Sequence, residues 1–318
     1  MFRVTIGEMK KEIIVLAGPT ASGKTKYAIE IAKRFDGEIV SADSMQIYKY
    51  MNIGSSKPSE EELQMARHHI IGEIDPKTHF SVAQYQKLAK AAITDILGRN
   101  KLPIVCGGTG LYINSIIYDM DFSMPPMESS YRTELEELAA EKGNSYIHEK
   151  LAKIDPQSAE RIHPNNLKKV IRALEVAENS TSRVMPFENS FIKTKDYDVT
   201  LMCINRDRAV LYERINARVD TFISQGLLDE VQSLLEMDLT FDDISMKGIG
   251  YKELIGYLNG NYDLESAIDM IKQNTRNYAK RQITWFKRYD DMKWFELSSY
   301  ENDEIAIEDI NKWLLEKK

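Results

Sequence analysis

Three short stretches carry residue types whose spacing implies chemistry. Gly18-Pro19-Thr20-Ala21-Ser22-Gly23-Lys24-Thr25 fits G-x-x-x-x-G-K-[ST], a loop whose glycines let backbone N–H groups curl around phosphate oxygens. Lys24 adds a point charge, Thr25 a hydroxyl able to hold Mg2+, and a following helix the partial positive charge of its N-terminus. Gly18, Thr20, Ala21, Ser22, Gly23, Lys24 and Thr25 thus form a cradle for a diphosphate or triphosphate, which says nothing about what is attached to it. Asp43, in Ser41-Ala42-Asp43-Ser44-Met45-Gln46, is the prime candidate for a general base, with Mg2+ ligand and helix cap as competing roles. In Gly107-Gly108-Thr109-Gly110-Leu111-Tyr112 the glycines permit close backbone approach and the Thr109 hydroxyl can donate to a phosphate oxygen. A tight strand-to-helix turn accounts for the same residues equally well. His68-His69 invites a metal reading, but adjacent side chains diverge and no third ligand stands near them in sequence.

The three stretches work together only if the fold brings them to one edge. Ile13 to Ala17 is a short apolar β-branched run ending in Gly18, followed by the helical pattern Ala28, Ile31, Ala32 and Phe35. Further strands are predicted at Glu38 to Ala42, Ile70 to Ile74, Pro103 to Cys106 and Val199 to Ile204, with a helix over Val82 to Arg99. Strands alternating with helices predict an α/β fold, a phosphate-loop NTPase-like parallel sheet with helices on both faces. In such a sheet residues just past the carboxyl ends of strands face the ligand crevice, so Asp43, Gln46 and Thr109 belong beside the cradle.

Between residues 121 and 198 the strand signal fades. Met124-Pro125-Pro126 opens a stretch that reads as helices over Glu128 to Lys142, Ser145 to Ile154 and Asn165 to Glu178, closed by a Ser/Thr/Asn-rich loop. This predicts a helical insertion at 121–198 within a core of 1–120 and 199–318. Helices are predicted in the C-terminal region over Leu211 to Gln225, Leu227 to Met237, Tyr251 to Leu258, Leu264 to Arg288 and Ile305 to Glu316.

The chain of 318 residues is long enough for about two domains, and 43 % apolar with 29 % charged residues is the balance of a folded globular protein. No run reaches the roughly 18 apolar residues of a membrane span or the pattern of a signal peptide, which predicts a cytoplasmic protein with no membrane partner. Cys106 and Cys203, each in an apolar segment, provide neither a disulfide framework nor a zinc spacing. The net charge of −7 hides an uneven distribution. Arg161 to Arg172 holds Arg161, His163, Lys168, Lys169 and Arg172 without an acid. Lys272 to Tyr289 holds Lys272, Arg276, Lys280, Arg281, Lys287 and Arg288 without one, interleaved with Tyr278, Trp285 and Phe286. Solvated helix faces normally mix signs, so these stretches favour a polyanion such as nucleic acid.

Six motifs in this order resemble the bacterial tRNA dimethylallyltransferase (tRNA isopentenyltransferase) family: the loop from Gly18, Asp-Ser-Met-Gln from Asp43, Gly-Gly-Thr-Gly-Leu-Tyr from Gly107, His-Pro-Asn from His163, Gly-Ile-Gly-Tyr-Lys-Glu from Gly248 and Ala-Lys-Arg-Gln-Ile-Thr-Trp-Phe from Ala279. The resemblance runs from about Ile13 to Trp285. It implies transfer of a dimethylallyl group from its diphosphate to N6 of adenosine 37 in tRNA, with Mg2+ as cofactor; no obligate protein partner is evident in the sequence, and a monomer is expected. It implies Asp43 as the base, Ser44, Met45 and Gln46 at the adenosine, Thr109 at the substrate, and Arg214 or Arg218 at the diphosphate. It also implies tRNA contacts at Arg132, Lys168, Lys169, Val170, Ile171 and Arg172, and the charge pattern of the C-terminal basic stretch adds Arg276, Lys280 and Arg281 as expected contacts. One departure is visible. Asn166 stands where the family has aspartate, and Lys168-Lys169 replace Gln-Arg, which keeps charge but loses the planar guanidinium fork. No Asp-Asp-x-x-Asp occurs, because Asp242-Asp243 and Asp290-Asp291 lack the third acid. The cradle alone would equally suit an ATP-binding kinase of a nucleoside or small metabolite.

Overall fold

The computed structural model describes residues 11–120, 122, 129–179 and 192–317. Residues 1–10, the Met124-Pro125-Pro126 opening, Glu128 and the loop over 180–191 lie outside them. The first part of the chain forms β1 (Glu12–Ala17), α1 (Lys24–Phe35), β2 (Gly37–Ser41), α2 (Glu60–Met65), β3 (His68–His69), α3 (Val82–Gly98), β4 (Leu102–Gly107) and α4 (Gly110–Ile117). Four helices follow: α5 (Ser129–Lys142), α6 (Asn144–Ile154), α7 (Pro156–Arg161) and α8 (Leu167–Asn179). The chain then forms β5 (Asp198–Asn205), α9 (Arg208–Ser224), α10 (Leu227–Glu236), α11 (Tyr251–Leu258), α12 (Leu264–Phe286), β6 (Lys293–Glu296) and α13 (Asp303–Lys317).

The six strands make one sheet in the order β3-β2-β4-β1-β5-β6, and every pair is parallel. β1 sits at its centre between β4 and β5, which explains its continuous apolar run: a strand covered on both faces has no solvent side to mark with polar residues. Ile14 and Leu16 pack with Ile31 of α1 and with Ala306, Ile310 and Leu314 of α13, while the alternate residues Ile13 and Val15 are equally buried toward the other face. Helices flank the sheet, as the strand–helix alternation predicts. No described helix is long and apolar enough to cross a membrane.

Three departures from the sequence reading have local causes. The third strand is His68–His69, not Ile70 to Ile74, because Ile70 and Gly72 take φ of 63° each and turn the chain away. One ring nitrogen of each histidine is engaged within the protein: His69 Nε2 is 2.7 Å from Glu38 Oε2 and His68 Nδ1 is 2.8 Å from the Ala66 carbonyl. β6 and α7, short elements absent from that reading, complete the sheet edge and the helical stretch; α7 is started by Asp155, whose carboxylate accepts from Ser158 N, with Pro156 in its first turn.

Glu38, 4 % exposed on β2, is held by Arg99 through two hydrogen bonds and by His69. The Arg99 hydrogen bonds, outweighing burial, push its carboxyl down to about 2. A depressed carboxylate stabilises the fold above its unfolded pKa, and that contribution is lost as pH falls through about 2. Glu38→Gln is expected to lower the stability by roughly 2–3 kcal/mol at pH 7 and by almost nothing near pH 2. Urea melts of both proteins across that range check it; parallel curves at all pH values would contradict it.

The chain divides into two compact units, Met1–Ile117 with Thr194–Lys318, and Tyr118–Lys193. The second has its own core, in which Leu135 and Ala139 of α5, Ile147 and Leu151 of α6, and Val170, Ile171 and Leu174 of α8 pack together. Val170 and Ile171, expected at the RNA, are 0 % and 1 % exposed there, so their side chains have no surface to offer a ligand. Lys168 and Lys169 are exposed on the same helix. Arg132 and Arg172 converge on Glu175, which is buried: Arg132 donates through Nε and Nη2 at 2.8 Å each, and Arg172 through Nη1 at 3.1 Å. Both arginines keep about half of their side-chain surface open.

Candidate active site

All six strands point the same way, so the turns after β1, β2, β4 and β5 meet at one edge of the sheet. The phosphate loop turns there from Ala17 to Lys24 with Ala21 (φ 63°) and Gly23 (φ 104°) in the left-handed region. Ala21 carries a Cβ, so this conformation is strained and must be held from outside. Arg214 of α9 holds it, its Nε donating to the Ala21 carbonyl at 2.9 Å, and Arg206 Nε donates to the Ser22 carbonyl at 3.1 Å. Asp303, at the start of α13, accepts from Arg206 Nη2 at 2.9 Å and from Tyr27 OH at 2.8 Å, tying the loop to α1 and α13. Gln282 of α12 reaches in from the other direction. Its Oε1 accepts from Thr20 N and its Nε2 donates to the Gly108 carbonyl, both at 2.9 Å. Gly108 must be glycine for this bridge, because a Cβ would stand 2.2 Å from Gln282 Nε2.

Asp43 lies two residues past the end of β2. Its Oδ1 accepts from Met45 N at 2.8 Å and from Gln46 N at 3.4 Å, which fixes the carboxylate against its own turn. No described residue donates to Oδ2, leaving that oxygen to take a proton. Burial raises the Asp43 pKa, opposed by these N–H groups and the nearby Lys24 ammonium. Lys24 donates to the Pro19 carbonyl at 2.8 Å, and burial lowers its pKa against the attraction of Asp43. Lys24, Thr25, Asp43, Gln46, Arg218 and Tyr278 line one cavity.

Arg214 and Arg218 are one helical turn apart, and the structure separates them: Arg218 faces the cavity while Arg214 braces the loop behind it. Burial lowers the Arg218 pKa, with Arg214 adding to the effect, so an anion in the cavity would relieve an unfavourable charge. Thr109 does not line the cavity. Its Oγ1 accepts from Ser44 N at 3.0 Å and donates to Ser44 Oγ at 3.3 Å, so it braces the turn that carries Asp43. Burial and the Asp43 charge push the Tyr278 hydroxyl up to about 12, and it stays protonated.

The donor set suits Mg2+. Thr25 Oγ1 and a carboxylate are hard oxygen ligands, and no group of three His, Cys, Asp or Glu side chains among the described residues could cage an ion without a substrate's help. Mg2+ is commonly bound this way, through one or two protein oxygens plus phosphate oxygens and water.

On α12 the acid-free run is not free of acids in space. Lys272 pairs with Asp220 of α9 at 2.6 Å, and Arg276 Nη1 donates to Asn216 Oδ1 at 2.6 Å. The cations left exposed are Lys280, Arg281, Lys287 and Arg288. Lys280, Arg281 and Arg288 lie over the rings of Tyr212, Tyr278 and Trp285, and all three stay exposed.

Residues 46–289 match the family model of the IPP transferases. The chain belongs to this family. It is 52 % identical to the tRNA dimethylallyltransferase of Alkaliphilus oremlandii over 304 residues, 96 % of this chain and 97 % of that protein. With the corresponding enzyme of Clostridioides difficile it shares 51 % over 302 residues, 94 % of this chain and 97 % of that one. Among solved structures it is similar to the full-length tRNA isopentenylpyrophosphate transferase of Bacillus halodurans, with 41 % identity, a TM-score of 0.74 and 97 % of each chain covered. A eukaryotic dimethylallyltransferase solved acting on tRNA superposes with a TM-score of 0.80 at 27 % identity, covering 96 % of this chain and 80 % of that one. The candidate site of this IPP transferase also takes in Gln282, Arg206 and Asp303, which the sequence reading did not single out, and Tyr278, named there only among the aromatics of the basic stretch. Tyr278 and Gln282 are four apart on α12, and two polar side chains on a buried face were the available signal.

Proposed function

We propose that the chain transfers the dimethylallyl group of dimethylallyl diphosphate to N6 of adenosine 37 in tRNA and releases diphosphate. The observation that carries this reading is the shared cavity: Asp43 with its open Oδ2 stands in one chamber with Lys24, Thr25 and Arg218. Adenine N6 is a poor nucleophile because its lone pair is delocalised into the ring. As the allylic C–O bond breaks and the C–N bond forms, the N6 proton passes to Asp43 Oδ2, and the electron pair of the broken bond leaves with the diphosphate. Burial favours this assignment, since it raises the basicity of the carboxylate against the opposing pull of its backbone N–H donors and Lys24. Lys24, Arg218 and the loop N–H groups stabilise the charge that develops on the leaving oxygens. Mg2+, held by Thr25 Oγ1 and diphosphate oxygens, would add further neutralisation of that charge. Ser44, Met45 and Gln46 bind the adenosine in this reading, and Tyr278 contributes the wall. A target base must leave its stack to enter.

The phosphate-loop kinase reading accounts for the cradle alone and gives neither Asp43 nor the exposed cations of α12 a role. Incubation with labelled dimethylallyl diphosphate or γ-labelled ATP, each with tRNA, separates the two: label from the prenyl donor enters RNA, and ATP is not turned over. ATP hydrolysis stimulated by a small alcohol, with unlabelled RNA, would overturn the proposal.

Lys280 and Arg281 of α12, and Lys168 and Lys169 of the helical unit, bind tRNA phosphates in this reading. Removing each phosphate-binding cation should flatten the dependence of log K on log[salt] by roughly 0.7–0.9 and leave the choice of adenosine unchanged. Lys280→Ala with Arg281→Ala, and Lys168→Ala with Lys169→Ala, should each show this in a salt titration of tRNA binding. Wild-type slopes in both would make these cations ordinary solvated surface.

A further inference from the structure

The motif Gly248-Ile249-Gly250-Tyr251-Lys252-Glu253 lies outside the cavity and takes no part in the transfer derived above. Its contacts point to one segment. Gly248 packs under Met45, since a Cβ there would stand 2.6 Å from Met45 Cε, and Tyr251, itself buried, fills the space that a side chain at Gly54 would occupy. Tyr251 OH donates to Glu230 Oε1 at 2.8 Å. The same carboxylate of α10 accepts three consecutive backbone N–H groups, from Asn52 at 2.7 Å and Ile53 at 2.8 Å on Oε2 and from Gly54 at 3.1 Å on Oε1. Four donors use the acceptor capacity of a carboxylate in full. The next two residues of that loop, Ser55 and Ser56, line the cavity, and the Ser56 carbonyl accepts from Gln46 Nε2 at 2.8 Å. Gln46 is oriented from its other end by Ser41 Oγ, which donates to Oε1 at 3.0 Å.

We propose that Glu230, locked by Tyr251, is a positioning residue for the nucleoside side of the site: by gathering the N–H groups of residues 52–54 it sets the wall that aims Gln46. This rests on the reading of Ser44 to Gln46 as the adenosine-binding turn. The consequence is asymmetric. The diphosphate end is held by a different set of braces, Arg206, Arg214 and Gln282, so loosening Glu230 affects the tRNA and spares the donor.

The test is steady-state kinetics of the whole chain, with tRNA varied at saturating dimethylallyl diphosphate and then the reverse. Glu230→Gln keeps the volume but presents an amide N–H₂ to backbone donors, and kcat/KM for tRNA should fall roughly tenfold to a hundredfold while the KM for the diphosphate stays within about twofold. Tyr251→Phe removes one hydroxyl and should give the same pattern at about threefold to tenfold, which keeps the test open if Glu230→Gln does not fold. Amide exchange at residues 52–54 should quicken in both. Variants that transfer like wild type, or that raise both KM values alike, overturn the positioning role. Wild-type protein that moves no label from the prenyl donor into tRNA overturns the underlying reading instead.

Discussion

Asp43→Asn is expected to bind tRNA as wild type does and to transfer the prenyl group about 10²- to 10⁴-fold more slowly, the usual contribution of a positioned base. Asparagine can still accept from Met45 N and Gln46 N, so the turn persists, but it has no carboxylate oxygen to receive the N6 proton. Single-turnover rates on preformed complex measure the effect without product release. The pH dependence has a definite sign. Burial raises the Asp43 pKa and the ionised form is the active one, so the wild-type rate should fall with acidification through a pKa above the ordinary carboxylate range. A folded pKa above the unfolded one also means that proton binding favours the folded state, and this contribution disappears as pH rises through the folded value. Ionised Asp43 therefore opposes folding at neutral pH, and Asp43→Asn should melt no lower than wild type. A variant within threefold of the wild-type rate would remove Asp43 from the chemistry.

Lys24→Ala should have the second large effect, a loss of about 10²- to 10³-fold in transfer, comparable to removing one preorganised donor from a developing anion. The leaving diphosphate would lose its nearest ammonium, whereas the helical unit and α12 keep their surface cations, so tRNA affinity should change by less than about twofold. Inorganic pyrophosphate offers a readout independent of turnover: its competition against dimethylallyl diphosphate should weaken in Lys24→Ala and persist in Glu230→Gln. Undiminished competition in Lys24→Ala would exclude this lysine from the cradle.

The legible parts of the molecule are those whose physics is local. β1 and its loop combine a buried apolar run, glycines and a helix start within fourteen residues, and each signal supports the next. β3 and β6 were not legible, because strands of two and four residues are held by their neighbours and carry little preference of their own. The turn of helix between Arg214 and Arg218 puts both on one side of α9, so period alone could not say which one faces the ligand. What tells them apart is that Arg218 lines the cavity while Arg214 hydrogen-bonds the Ala21 carbonyl. Gln282 carries no charge and belongs to no charge pattern, although it makes the bridge between the phosphate loop and the glycine turn. Val170 and Ile171 are the opposite case. Leu167, Val170, Ile171 and Leu174 follow the spacing of a buried helix face, and that period outweighs their place in a motif otherwise rich in cations.

The central position of β1 also sets the order in which the protein can be built. One of its two neighbours, β5, begins at Asp198, about 180 residues after β1 ends at Ala17, with the whole helical unit between them. At roughly 5–20 residues per second, a ribosome takes on the order of ten to forty seconds to synthesise that interval. Throughout it the edge of β1 that will meet β5 has no partner and presents unpaired N–H and C=O groups beside the most apolar residues of the sheet, the condition under which strands pair with the wrong chain. The phosphate loop, braced by Arg206, Arg214 and Asp303 from beyond β5, acquires its shape only after that wait ends. Nascent chains halted before β5 should therefore depend on a chaperone and bind no diphosphate.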